Sequence, residues 1–401
     1  MFGLGATKRE GYDMKVAVVT HSSTFEERAE AVALFFEKRG DTAVRVFSDF
    51  DHHRKQTVTR EAENHVYLHL RPYTRNLSLN RLLAIRRFAA DAGAYLESGG
   101  FDLIYFMIPA NSFAEEAERI HRKTGARVIF DLIDLWPESL PLKAVSWLSP
   151  IRRWRNLRDH HLSCADLIFT ECGFYREQLD LPEGKTYTLY WCKFSENNKF
   201  KRRGGSCRTD TGVLRIAYIG AINNIIDIPR IAYLLGALNR RRKVVADIVG
   251  EGEHREDFIR ALQERGVETV SRGAVYEESR KEEILSRCNL GINVMRTDVH
   301  VGLSMKSIDY LSYGIPLINS IKGDLWEFVS RYGIGVNVPD NLMTMREEEL
   351  DSLCRRLIDV ADDAETRRKA EDLYRKNFTS EAFERTLENA LEEQKLLSPN
   401  F

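Results

Sequence analysis

Gly302-Leu303-Ser304-Met305-Lys306-Ser307-Ile308-Asp309-Tyr310-Leu311-Ser312-Tyr313-Gly314-Ile315-Pro316, followed by Leu317-Ile318, is the stretch from which the rest of the chain can be read. Ser304 suits the N-cap of a short helix, and Tyr313-Gly314 ends it with a residue free to take the left-handed conformation. The apolar run after Pro316 predicts a buried strand. The first N–H groups of such a helix have no internal partner and sit at the positive end of its dipole, so they suit a phosphate. Lys306 adds a full charge in the first turn. Asp309 stands on the next turn, where its carboxylate can accept from vicinal hydroxyls. Donors for a phosphate and an acceptor for hydroxyls, so placed, describe a site for a ribose diphosphate. An ordinary capped helix before a core strand would show the same capping signals.

Upstream of this stretch the chain alternates short apolar runs with amphipathic segments. Leu214–Ile219 predicts a strand, Gly220-Ala221-Ile222-Asn223-Asn224 its loop, and Ile228–Asn239 a helix. Val244–Val249 predicts the next strand, and it ends in Gly250-Glu251-Gly252, where glycines would let a ligand approach the backbone. A strand ending at Arg272-Gly273, a helix from Glu278 and the strand Leu290–Val294 lead into the opening stretch. Beyond it the alternation ends in charged helices, the last over Glu381–Glu392.

The first half shows the same grammar. Lys15–Thr20 reads as a buried strand, His21-Ser22-Ser23-Thr24 as its loop and Phe25–Arg39 as a helix, the opening of a βαβ unit. Strands follow near Ala43–Phe47, His65–Leu70, Phe101–Ile108, Arg127–Phe130, Ala165–Thr170 and Tyr187–Trp191, with helices over Ser78–Glu97 and Ser112–Thr124. The loop after the first strand is not GxGxxG, which removes the main support for a dinucleotide-dependent oxidoreductase. Asp131-Leu132-Ile133-Asp134-Leu135-Trp136-Pro137-Glu138-Ser139 puts carboxylates and an indole where the chain leaves a strand, the usual place for ligand groups in a parallel sheet. Asp131, Asp134, Trp136 and Glu138 are therefore candidates for an acceptor, together with His21, Ser22 and Ser23. Residues 146–162, rich in Arg and Trp, predict a basic amphipathic helix able to lie on an anionic membrane surface or to turn its tryptophans to the core.

At 401 residues the chain exceeds what one hydrophobic core usually supports, so two domains are expected. The boundaries read as a leader over 1–13, a first Rossmann-like domain over 14–196 and a polar, basic linker over 197–212. A second such domain follows over 213–377, and a terminal helix over 378–401 would pack back on the first. A net charge of -1 gives no global attraction to nucleic acid. The six cysteines form no CxxC pair and no zinc-finger spacing, so neither a metal site nor a disulfide framework is expected and a reducing cytoplasm fits. No run approaches the ~20 apolar residues that span a bilayer.

Tyr218-Ile219-Gly220, Val249-Gly250-Glu251-Gly252, Arg272-Gly273-Ala274 and the stretch from Gly302 to Pro316 together resemble a retaining GT-B glycosyltransferase of family four. Asp134-Leu135-Trp136-Pro137-Glu138-Ser139 is similar to a motif of family members in bacterial cell-surface polysaccharide pathways. The resemblance implies an α/β protein of two doubly wound Rossmann-like domains facing an interdomain cleft. It implies a hexosyltransferase-like activity in the cytoplasm, at the inner face of the membrane if residues 146–162 make that contact. A sugar would move, with retention, from a nucleotide-diphosphate sugar to a saccharide or lipid-linked saccharide, without a cofactor or metal. The donor would lie against Gly220, Asn223, Asn224, Gly250, Gly252, Arg272, Gly273, Gly302, Leu303, Ser304, Met305, Lys306 and Asp309. Lys306 would stabilise the leaving diphosphate, and Asp134 would orient the acceptor hydroxyl.

The family's acidic pair is half present: Asp309 falls on the later, ribose-binding position and Val301 on the earlier one. The basic pair frequent after the second domain's first strand is absent, which leaves Lys306 and the amides of Leu303, Ser304 and Met305 as the diphosphate candidates. A GT-B sugar-nucleotide epimerase and a catalytically silent nucleotide-sugar-binding homologue share the same features.

Overall fold

The computed structural model describes residues 13–52, 54–75, 78–138, 149–193, 212–299 and 301–397. Ser139, residues 146–148 of the basic segment, nearly all of the leader and all of the linker except residue 212 lie outside the described residues.

The chain divides into two units. The first runs to Glu171, resumes at Tyr175 and includes the last helix from Phe383; the second holds Cys172–Phe174 and the chain as far as Ala382.

In the first unit the strands are β1 (Lys15–Val19), β2 (Thr42–Ser48), β3 (Phe50–Asp51), β4 (Gln56–Thr57), β5 (His65–Leu68), β6 (Leu103–Ile108), β7 (Arg127–Leu132), β8 (Leu167–Thr170) and β9 (Thr186–Thr188). Seven of them form one sheet in the order β5-β2-β1-β6-β7-β8-β9, every pair parallel. The helices are α1 (Glu26–Lys38), α2 (Leu79–Ser98), α3 (Ser112–Thr124), α4 (Ser149–Asp159) and, from Tyr175 on, α5 (Gly173–Gln178). The sheet is parallel because its strands are apolar on both faces: all six residues of β6 are buried. Phe88, Phe106, Phe113 and Phe130 fill the core between the sheet and α2 and α3.

The second unit repeats the plan with β10 (Val213–Ile219), β11 (Lys243–Val249), β12 (Glu268–Gly273), β13 (Leu290–Asn293), β14 (Leu317–Asn319) and β15 (Gly335–Asn337), in the parallel order β12-β11-β10-β13-β14-β15. Its helices are α6 (Ile228–Asn239), α7 (Arg255–Gln263), α8 (Glu278–Leu285), α9 (Met305–Ser312), α10 (Asp324–Tyr332), α11 (Glu347–Asp362) and α12 (Ala364–Asn377); α13 (Ser380–Glu393) closes the chain. Both sheets are doubly wound, and in the second the strand order reverses between β10 and β13, the place where such sheets take ligands. Within the first unit α13 is tied to α1 by ion pairs of Lys38 with Glu384 and Arg39 with Glu388.

Four local readings change. The helix expected from Phe25 begins with a 3-10 turn, Ser23–Phe25, because the Ser22 hydroxyl caps the Thr24 amide. The strand expected to end at Phe130 continues to Leu132, which puts Asp131 inside the sheet. The strand expected over Tyr187–Trp191 is only Thr186–Thr188, since the chain then bends to place the Leu189 carbonyl 2.8 Å from Arg28 Nη2. A small hairpin, β3 with β4, stands where no strand was read.

Candidate functional site

In the second unit, Ser304 has extended backbone angles and its hydroxyl accepts from the Ser307 amide at 3.4 Å, so α9 starts where its sequence says. Asn293, at the end of β13, donates to the Ser304 and Ser307 hydroxyls at 2.6 and 2.7 Å and so anchors the cap to the sheet. Tyr310 locks the other side of the helix. Its hydroxyl accepts from the Ile219 amide at 2.9 Å and bonds the Ala217 carbonyl at 3.0 Å. Gly291 makes room for that ring, since a Cβ there would lie 2.4 Å from it. The amino end of α9 is thereby fixed at the switch point between β10 and β13.

The amides of Leu303, Ser304, Met305 and Lys306 donate to no group among the described residues. Lys306 reaches back over β10, where its ammonium lies 2.8 Å from the Tyr218 hydroxyl and over the Tyr218 ring. Among the described residues no carboxylate pairs with it. Burial alone lowers its pKa to about 8 and pushes the Tyr218 phenol up. Gly220, at φ +113, adjoins the Lys306 side chain: a Cβ would sit 3.4 Å from Cε. Asp309 stands half-buried one turn further along α9. The structure thus brings together Gly220, Leu303, Ser304, Met305, Lys306 and Asp309. Helix-end amides without acceptors among the described residues, with an ammonium that no carboxylate there pairs, are the kind of arrangement that suits an anion.

Other expected donor residues have structural work instead. A Cβ on Gly250 would meet the Gly220 carbonyl oxygen at 1.9 Å, and one on Gly252 would meet the Ile222 carbonyl oxygen at 2.2 Å. These glycines let two loops touch and need no ligand to explain them. Gly302 packs on Phe174 and Cys172, with 2.5 Å between a notional Cβ and Phe174 Cβ. Gly273, at φ +66, offers its carbonyl to the Gly250 amide at 2.8 Å. Arg272 of β12 forks onto Asp247 of β11 at 2.9 and 2.6 Å, beside Arg215 of β10, and this ion triad gives Arg272 a partner within the sheet without any ligand. Asn224 spans to Glu253 and His254 at 2.6 and 2.7 Å, and Asn223 caps the Ile225 amide, so both shape the loop after β10.

In the first unit Asp131 is corrected from an acceptor ligand to a buried ion pair. Arg28 meets it at 2.7 and 2.9 Å and the Tyr105 hydroxyl donates at 2.7 Å, all three side chains wholly buried. Glu138 is bound by Arg158 at 2.8 Å, and Arg158, read as part of a basic surface, is itself fully buried. Trp154 turns inward and meets Trp136 edge-on at 6.0 Å, while Arg152 and Arg153 remain exposed. Ser22 caps its own turn and Ser23 accepts from the His52 amide at 3.2 Å. Asp134 stays at the exit of β7, with the Trp136 indole donating to it at 2.6 Å. Arg81, which the sequence reading missed as a site residue, lies 4.2 Å from the Trp136 ring centre and 5.5 Å from that of Tyr73.

No protein-family model matches the chain, and no curated protein is similar to it in sequence. Solved structures, by contrast, superpose over almost all of it. The fold is GT-B. The lipopolysaccharide outer core galactosyltransferase WaaB has a TM-score of 0.64 at 13% identity, covering 95% of this chain and 100% of its own. Sucrose-phosphate synthase from Thermosynechococcus elongatus gives 0.66 at 12% identity, with 96% and 99% covered. Anabaena HepE, in complex with UDP and glucose, gives 0.58 at 12% identity, with 94% and 99% covered.

Among the described residues no group of three or more His, Cys, Asp or Glu side chains could hold a metal ion, and no helix is long and apolar enough to cross a membrane.

Proposed function

We propose that the chain is a glycosyltransferase of family-four type that moves a hexose from a nucleoside-diphosphate sugar to a saccharide or lipid-linked saccharide, with retention and without a cofactor. The observation that carries the reading is the amino end of α9, which holds amides without acceptors and a Lys306 ammonium that no carboxylate pairs, both among the described residues. Cleaving a glycosyl–phosphate bond develops negative charge on the leaving diphosphate, and preorganised donors with a cation stabilise that charge where it forms. Asp309 would hold the ribose hydroxyls and Asp134 an acceptor hydroxyl. The UDP and glucose bound by HepE, a protein of the same fold, support a UDP-sugar donor. The exposed Arg152 and Arg153 of α4 would meet an anionic membrane at the cytoplasmic face.

A thermal-shift screen of the full chain against nucleoside diphosphates and their sugars tests this. A ligand at 100 times its dissociation constant adds about 2.7 kcal/mol of stability. Stabilisation by at least one diphosphate, lost in Lys306→Ala, is the expected result; a flat response to all of them ends the proposal. A silent nucleotide-sugar-binding homologue is the second reading, favoured by Val301, which offers a donor sugar no hydrogen bond. Such a protein would bind the nucleotide sugar and release no nucleoside diphosphate with any acceptor.

A further inference from the structure

Beside Asp134 the first unit carries a cationic and aromatic cluster to which the transfer chemistry above assigns no task. The turn after β1 supplies His21, the β3–β4 hairpin supplies His52 and Lys55, the segment after β5 supplies Tyr73, the first turn of α2 supplies Arg81, and the exit of β7 supplies Asp134 and Trp136. All follow the carboxyl ends of parallel strands or pack against them.

Arg81 is buried, with its guanidinium 4.2 Å from the Trp136 ring centre and 5.5 Å from that of Tyr73. Lys55 lies over the other reach of Tyr73 at 5.0 Å, and His52 Nδ1 is 2.7 Å from the Tyr73 hydroxyl. Lys55 holds φ +57, a left-handed conformation that glycine would take with less strain.

His21 points to what the cluster is for. It is 3% exposed, and neither ring nitrogen has a hydrogen-bond partner among the described residues. Burial, reinforced by Arg81 and His52, holds its pKa at about 3, so the ring is neutral and presents one N–H donor. A buried donor without an acceptor is costly unless a ligand completes it. A forked guanidinium, an ammonium and an imidazole N–H approaching from different elements suit a tetrahedral anion better than a planar one.

We propose that His21, Lys55 and Arg81 form a phosphoryl-binding subsite, so that the acceptor is a phosphorylated sugar whose hydroxyl faces Asp134. The word acceptor rests on the glycosyltransferase reading; the binding of a phosphoryl group does not. Two sources share this chemistry, a soluble sugar phosphate and a lipid-borne phosphate. Leu79 and Leu83, 74% and 65% exposed on α2, offer the second an apolar landing.

The test uses the full chain carrying Lys306→Ala, which disables the other anion site, and follows the histidine ring resonances by NMR while inorganic phosphate is added. The expected result is a saturable shift of the His21 and His52 signals, with Lys55→Gln weakening phosphate by about tenfold, the worth of one charge-assisted hydrogen bond. Lys55 is a half-buried hairpin residue, so this variant keeps the packing that removing Arg81 would disturb. Shifts no larger than those from chloride at equal ionic strength, or equal affinity in Lys55→Gln, would overturn the subsite. Glucose 1-phosphate moving the same signals identifies a soluble source. Sedimentation with phosphatidic-acid vesicles, lost in Lys55→Gln, identifies a lipid one. Stabilisation of the unsubstituted chain by UDP is read separately, so failure of the donor site and failure of this subsite give different patterns.

Discussion

Lys306 is the residue on which the proposed donor chemistry turns. Burial of the ammonium near Tyr218 is what lowers its pKa to about 8, and among the described residues no carboxylate pairs with it to offset that. A bound diphosphate would restore a higher value, so binding takes up a proton. Affinity for UDP is then expected to be full below pH about 8 and to decline as pH rises through it; calorimetry in buffers of differing ionisation enthalpy would report the uptake. Without ligand the sign reverses. A folded-state pKa below the ordinary lysine value of 10.5 favours the neutral form, so this group's contribution to stability rises between pH 8 and 10.5. Lys306→Ala should slow turnover by roughly one to two decades, since a charge-assisted hydrogen bond is worth ~1.5–3 kcal/mol. Asp309→Asn should weaken nucleoside diphosphates while leaving inorganic pyrophosphate unaffected, because only the ribose offers it hydroxyls; competition calorimetry would separate the two.

Elements hold these residues in place, and their demands explain where motif reading went astray. Gly250 and Gly252 look like ligand-approach glycines, yet each is required by the carbonyl of a neighbouring loop. Gly250→Ala is expected to cost about 3 kcal/mol in urea denaturation and to displace Gly220, weakening UDP as well. Tyr310→Phe should cost about 1–3 kcal/mol, since it strips the Ile219 amide of its partner inside the sheet. Asp131 is the opposite case. A strand two residues longer than its apolar run suggested draws it into the interior, where Arg28 from α1 meets it. Asp131→Asn should destabilise the first unit by about 3–5 kcal/mol, the consequence of leaving a buried guanidinium unpaired, without altering nucleotide affinity in the fraction that folds.

At the scale of the whole molecule, the alternation of apolar runs with amphipathic segments was enough to predict two doubly wound sheets, because a parallel sheet needs strands apolar on both faces and helices to cover them. The cap Ser304, the stop at Gly314 and the charge of Lys306 were legible for a related reason: each acts within one helix, over distances the sequence itself fixes. Partners arriving from distant strands were not legible. Arg28 with Asp131, Arg158 with Glu138, Arg272 with Asp247, and the meeting of Lys55, Tyr73, Arg81 and Trp136 all depend on how the completed fold brings distant segments together. Local order therefore follows from period and capping, whereas the pairing of charges follows from topology, because the electrostatic cost of burial is offset only by groups that the completed fold brings within a few ångströms.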